Sequence, residues 1–393
     1  KTKQWKSTVN IRVQWNLIDP GRIPAIKSAK DSYEKAKDAY LIALRDQNLS
    51  AARQYFLLQR ADEGVRIGKQ SMKASLLSLR DAKARFDAGV ATRLEVLEAE
   101  TQLARDKQLL TGKLGDQKIT RRALAATLNL APDITPIAST SAQVIGTWKA
   151  SLEESIISAF AFREELNQLL LDISINNNNA NISLADIQPI ISLFNSLSYS
   201  KNQGQASIPS GSSIDMDDYA SSLSNSIGIN ATWKIFDGGK SKANYNYHKL
   251  KAEESKLSFD VQKAIIRQEV EESFFRLRTA SQDIATTTRE VLAARESLRL
   301  ARLRFQAGVA TQREVVNNQR DLTQAEVRYS DAITTYNTSL SQLQRRTGID
   351  HIKACKAKSI KLNETKNKEL IDIPLEPFPL IPACEASTLK REE

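Results

Sequence analysis

The octapeptide RFDAGVAT at Arg85–Thr92 returns as RFQAGVAT at Arg304–Thr311, and only Asp87 and Gln306 differ. The offset of 219 residues is more than half of the 393-residue chain, so this is no local tandem copy. It points to a two-fold internal organisation. In each copy the Gly should stop a helix, because it takes the left-handed conformation at a helix C-terminus at little cost. Thr92 and Thr311 then serve as N-caps of a second helix, and Glu95 and Glu314, three residues on, complete a capping box. Each octapeptide is expected to bend a helical hairpin.

Outward from the first bend (87–92), Ile26, Ala29, Tyr33, Ala36, Tyr40 and Ala43 follow at alternating spacings of three and four. The seam weakens near Gln47 and resumes through Tyr55, Leu58, Val65, Met72, Leu79, Ala82 and Phe86. This is heptad spacing, and a helix over 22–86 would extend roughly 95 Å at 1.5 Å per residue. The returning helix is expected over 93–129, where Pro132 and Pro136 end it. In the second half, Thr287, Val291, Ala294, Leu298, Ala301 and Phe305 lead into the second bend (306–311) on the same spacing. A long helix over 240–305 and a returning helix over 312–347 follow from it.

Before each long helix the period changes to two. Val9, Ile11, Val13, Trp15 and Leu17 alternate with polar residues in a strand over 7–18. Its roughly ten residues match a tilted membrane-spanning strand. Two more strands are expected over 190–201 and 223–236, with Ser192, Ser196, Ser198 and Ser200 sharing one face of the former. The junctions also correspond: WNLIDPGR at Trp15–Arg22 matches WKIFDGGK at Trp233–Lys240. Residues 1–130 thus form one repeat and 151–347 a second, joined by a connector over 131–150. A helix over 151–186 opens the second repeat, with a polar interruption at Asn176–Asn179. Lys- and Pro-rich sequence over 348–393 predicts an extended tail.

Composition agrees with long helices: about a quarter of residues are charged, 6% are aromatic, and Gly and Pro are scarce. The net charge of +10 is spread among acidic neighbours, as in AKDSYEKAKDAY, with no aromatic-studded basic stripe, so no nucleic-acid partner is expected. Cys355 and Cys384 lack a nearby His cluster; a disulfide and two free thiols both remain open. His248 and His351 lie far apart, and no nucleophile motif or phosphate loop is present. Neither catalysis, metal nor cofactor is expected. No segment is apolar enough for a transmembrane helix, which does not exclude a membrane barrel. Lys1 opens almost directly onto a strand, so the chain reads as mature or truncated.

Duplicated strand, long helix, GVAT-type bend and returning helix, in this order, resemble the TolC family of outer-membrane efflux proteins. The resemblance covers nearly the whole chain. It rests on the FxAGVAT bends, on WxxxDxG at both junctions, and on the run from Arg163-Glu164-Glu165-Leu166 to Gln188-Pro189 before a strand. It implies a mainly α fold in which the strands of a homotrimer complete one outer-membrane β-barrel and the helices form a periplasmic α-barrel. It also implies a passive exit duct in a Gram-negative outer membrane, in contact with lipid. The duct would serve a tripartite efflux pump or a type I secretion system. A periplasmic adaptor would meet the tips at Ala88, Gly89, Val90, Ala91 and Thr92 and at Ala307, Gly308, Val309, Ala310 and Thr311. An inner-membrane transporter, ABC-type or proton-driven, would supply energy. Glu95 and Glu314 stand where the family often narrows its entrance with acidic side chains, although capping alone explains their spacing. Glu98, one turn further in, has Asn317 as its counterpart, so an acidic lining is not duplicated there. Family members carry two strands before each long helix, and one is expected to be missing here, with a signal peptide and a leading helix upstream of Lys1. The competing reading is a soluble coiled-coil scaffold with a small β head.

Overall fold

The computed structural model describes residues 3–206, 216–348 and 352–354. Cys355, Cys384, His351 and the tail from 355 lie outside the described residues. In chain order the elements are β1 (Lys3–Ile18), α1 (Arg22–Asp87), α2 (Arg93–Thr127), β2 (Gly146–Trp148), α3 (Leu152–Phe162), α4 (Glu164–Ala185), β3 (Ile190–Ala206), β4 (Met216–Thr232), α5 (Lys240–Gln306), α6 (Gln312–Thr347) and β5 (Ile352–Ala354). They fall into two compact units, residues 1–39 with 165–261 and residues 40–164 with 262–393.

The first unit holds an antiparallel sheet of order β1-β3-β4. Its strands run past the expected 7–18 and 190–201, and β4 starts before 223, because backbone pairing continues through Lys, Asn and Gln residues where hydropathic alternation has stopped. β4 ends at Thr232, short of the expected 236, and the Trp233 indole donates to the Ile187 carbonyl at 3.0 Å. Both strand-to-helix junctions are closed by an aspartate. Asp19 accepts from the Gly21 amide at 3.0 Å, and Asp237 accepts from the Gly239 and Ser241 amides at 3.0 and 2.8 Å. These carboxylates satisfy amides at the helix start, which is the physical content of the WxxxDxG spacing.

Helix α1 meets α4 through polar side chains. Lys35 pairs with Asp172 at 2.6 Å, Ser174 donates to Asp31 at 2.6 Å, Asn167 donates to Asp38 at 2.7 Å, and Ser28 donates to Asn179 at 3.0 Å. The heptad residues Ile26, Ala29, Tyr33 and Ala36 are instead exposed, Tyr33 by 69%. Helix α5 repeats this, with Tyr247, Leu250, Leu257 and Val261 exposed and Lys249 reaching Asn177 at 3.0 Å.

The helix expected over 151–186 is broken, at a different place from the Asn run. Asn176–Asn179 lies inside α4, where each amide is engaged: Asn176 with the Asp172 carbonyl, Asn177 with Lys249, Asn178 with Asp31 and Asn179 with Ser28. Side-chain partners across the seam offset the weak helix propensity of Asn. The break falls at Arg163, which is extended (φ −89°, ψ 119°) between α3 and α4. Its buried guanidinium meets Glu269 at 2.6 Å, while Arg45 takes the freed Phe162 carbonyl at 3.1 Å and Glu164 at 2.8 Å.

In the second unit the far part of α1 pairs with α2 through Leu79, Ala82, Ala99 and Leu103, with Met72, Leu76 and Val96 packed against them. Along α5, Val270, Leu277, Ile284, Val291 and Leu298 are buried at spacings of seven. That places a coiled-coil seam on α5. Helix α6 anchors the connector: the Asn337 side chain donates to the Gln143 carbonyl at 2.8 Å and Tyr336 donates to the Gly146 carbonyl at 3.0 Å. Gly348, at φ 78°, ends α6 directly over Phe162.

Candidate functional site

Two features stand out as candidate sites: the paired helical tips of the second unit and the polar sheet face of the first. Each tip is the same left-handed stop. Val90 and Gly89 donate to the Arg85 and Phe86 carbonyls, both at 2.9 Å; Val309 and Gly308 donate to the Arg304 and Phe305 carbonyls at 3.0 and 3.1 Å. This is a Schellman motif, with Gly89 at φ 73° and Gly308 at φ 78° in the region that side chains resist. Val90 and Val309 are each 66% exposed. Ala88, Ala91, Ala307 and Ala310 complete two smooth, uncharged knuckles, each followed by its threonine.

After the turns the copies diverge. Thr92 and Glu95 form the expected capping box, at 3.4 Å in both directions. Thr311 makes no side-chain cap bond, which corrects the expectation of a second box. Its would-be partner Glu314 accepts from Arg304 Nη1 at 2.8 Å instead. The cause lies in the repeat counterpart of Arg304: Arg85 lies over the Phe305 ring, 4.5 Å from its centroid, so Glu95 keeps no arginine of its own. Glu98 is held by Arg313 Nε at 2.9 Å, and Asn317 is exposed. The carboxylates at 98 and 314 therefore enter ion pairs within one chain, which offsets their charge.

Sequence reasoning missed Arg85, Arg304, Gln312 and Arg313. Gln312 is fully buried and donates to Ser78. For Gln312 and Arg313 the signal was present in the mismatches between repeats, Arg93 against Gln312 and Leu94 against Arg313, whereas Arg85 and Arg304 are identical in the two copies and gave none. Beneath the tips a cavity of about 790 Å³ is lined by Ser71, Gln102, Phe305, Gln312, Thr323 and Glu326, among others. Ser71 meets Thr323 at 3.1 Å, and Gln102 donates to buried Asp106 at 3.1 Å. Glu326 is 6% exposed, and burial raises its carboxyl above the ordinary glutamate range despite the opposing fields of Arg66 and Arg295. The pattern is a polar stratum among packed helices. No metal-ligating cluster occurs among the described residues.

In the sheet, Trp5, Val9, Ile11, Val13 and Trp15 of β1 share a face with Leu193, Leu197 and Tyr199 of β3 and Leu223, Ile227 and Ile229 of β4. These side chains are largely exposed, Ile227 by 73%, an apolar band suited to hydrocarbon. The opposite face carries Thr8, Asn10, Arg12 and Gln14, then Ser192, Ser196, Ser198 and Ser200, then Ser222, Ser224 and Ser226. Hydroxyls bond across it: Ser200 to Ser222 at 2.8 Å and Ser198 to Asn10 at 2.5 Å. No helix among the described residues is long and apolar enough to cross a membrane.

A family profile described as "Outer membrane efflux protein" matches residues 1–130 and 157–349. Among solved structures, the chain is similar to the outer membrane protein VceC from Vibrio cholerae, at 15% identity over 88% of this chain and 87% of that one, with a TM-score of 0.68. The CmeC outer membrane channel of Campylobacter jejuni aligns at 14% identity over 88% and 78%, with a TM-score of 0.69. The open-state MtrE outer membrane channel of Neisseria gonorrhoeae aligns at 18% identity over 88% and 80%, with a TM-score of 0.67. No curated protein sequence matches the chain.

Proposed function

We propose, from the premise that this chain belongs to the outer membrane efflux protein family, how its parts divide the work of an exit duct. The protein is an outer-membrane channel of an efflux assembly, with its helices in the periplasm. Within that role the chain acts as one third of a homotrimer. Among the described residues, three strands with open edges at β1 and β4 cannot close a barrel, since such barrels have at least about eight. The exposed seams of α1 and α5 also require apolar neighbours, which further copies supply.

The tips dock a periplasmic adaptor, which couples the duct to an inner-membrane transporter, ABC-type or proton-driven, in a tripartite pump or a type I secretion system. The observation that carries this is the exposure of the same Gly-Val-Ala-Thr surface at both tips, Val90 and Val309 being equally bare. Two tips per chain give a trimer six near-equivalent knuckles. The duct itself moves cargo passively. Val90→Cys and Val309→Cys, each crosslinked in membranes, test the assignment. Adducts to an adaptor hairpin from both positions support it; adducts from neither, with the trimer intact, overturn it.

A further inference from the structure

The duct reading places the polar face of the β1-β3-β4 sheet toward the water-filled lumen, because the opposite face, Asn195 and Asn225 aside, is predominantly apolar and suited to lipid. On that reading the chemistry of this face acts on whatever passes. Among the described side chains it is almost wholly neutral hydroxyl and amide, and no carboxylate stands on it. Two cations do, Lys6 and Arg12.

Arg12 is built in where Lys6 is not. Its guanidinium lies over the Phe194 ring, 5.3 Å from the centroid. Phe194 is the one aromatic side chain of this face among the described residues, and it pairs with Gly228 on β4. A Cβ at Gly228 would stand 3.0 Å from Phe194 Cζ, so the glycine vacates the space that the ring occupies. The ring in turn holds the arginine by a cation–π contact. Arg12 faces Ser196, and the nearest ladder neighbours are Asn10, Gln14 and serines, none able to neutralise it. Asp217 and Asp218 pair with Gln205 and Gly204, at the hairpin end of the sheet, far along the strand from Ser196.

We propose that Arg12, held on Phe194 in the slot left by Gly228, is a selectivity-determining residue that makes the barrel lumen favour anionic cargo. A trimer places three such guanidiniums around one lumen, and rings of fixed cations select anions in pores. At the entrance, the pairing of Glu98 with Arg313 and of Glu314 with Arg304 offsets those two carboxylates, leaving Glu95 as the one of the three without an arginine partner. The inference rests on the exit-duct reading.

The test uses the full-length trimer in planar bilayers, with reversal potentials read across a KCl gradient. Wild type is expected to reverse on the anion side, and Arg12→Lys should retain that sign. Arg12→Gln should lower the chloride-to-potassium permeability ratio by about threefold, the scale of three unit charges roughly 10 Å from an ion in screened water. Arg12→Glu should lower it further. Cation preference in wild type, or an unchanged reversal potential in Arg12→Glu channels of wild-type conductance, overturns the assignment of Arg12 while leaving the duct intact. Correctly assembled wild-type trimers that conduct nothing would remove the duct reading and this inference with it.

Discussion

Arg304 and Glu314 face each other across the second bend, Nη1 to Oε1 at 2.8 Å, whereas Arg85, which repeats Arg304, lies on the Phe305 ring and leaves Glu95 to cap its own helix. Two nearly identical turns thus place their carboxylates in different chemistry. Glu95→Ala should cost about 0.5–2 kcal/mol of local helix stability, and Glu95→Gln much less, because an amide still completes the box. Glu314→Ala and Glu314→Gln should behave alike, each losing an exposed ion pair worth roughly 0–1 kcal/mol that fades at high salt. Amide exchange at both bends separates these; equal Ala-versus-Gln gaps at 95 and 314 would refute the asymmetry.

Gly308→Val forces a β-branched side chain to φ 78°, a strain of order 1–3 kcal/mol. No neighbouring atom lies within 4 Å of the added Cβ, so the penalty stays in the backbone of the tip. On the proposed assembly, the trimer should form normally while adaptor affinity and export fall. Normal export from a Gly89→Val, Gly308→Val double variant would show that tip geometry is irrelevant to docking.

Glu326→Gln should stabilise the protein at neutral pH. Burial raises the Glu326 carboxyl above its ordinary value, so the native state holds that proton more tightly than the unfolded chain. Stability from this group falls as pH rises from the unfolded to the folded pKa, and the penalty is complete above the latter. The variant lacks the penalty. Its melting temperature should exceed wild type at pH 7, and the difference should vanish on acidification below the unfolded carboxylate range. A variant less stable than wild type at pH 7 would show that the fields of Arg66 and Arg295 outweigh burial.

Gly348→Ala is expected to be among the more damaging alanine substitutions in the second unit. The new Cβ would come within 2.9 Å of the Phe162 carbonyl oxygen, and the residue sits at φ 78°. Backbone cannot yield as a side-chain tip can, so a loss of about 1–3 kcal/mol is expected in thermal unfolding. A loss below a few tenths would mean that α6 can end elsewhere at little cost.

The periodic parts of the chain were legible because periodicity is what long coiled helices and two-faced strands leave in a sequence. Val291, Leu298 and Ala301 declare their seam by spacing, and Gly89 and Gly308 declare their turns by type. Legibility failed where a partner distant in sequence decides. Nothing local distinguishes Asn176–Asn179 from a loop; Asp31, Ser28 and Lys249 make it helix. Nothing at Thr311-x-x-Glu314 reveals that Arg304 claims the glutamate, and Arg163 shows its break only beside Glu269. At the tips the readable signal was identity between repeats, whereas the differing positions, Gln312 and Arg313, make the contacts to the first hairpin.

The polar seam between α1 and α4 bears on when this chain gains its stability. Lys35, Asp31, Asp38 and Ser28 take the contacts that the chain makes with itself, and Ile26, Tyr33, Leu250 and Leu257 are kept bare. On the proposed homotrimer, hydrophobic gain at these exposed side chains is deferred until other copies arrive. Folding and association then become one event, whose midpoint moves with protomer concentration. Dilution alone should lower the refolding yield, and a newly made chain is governed by an encounter rate rather than by its own collapse.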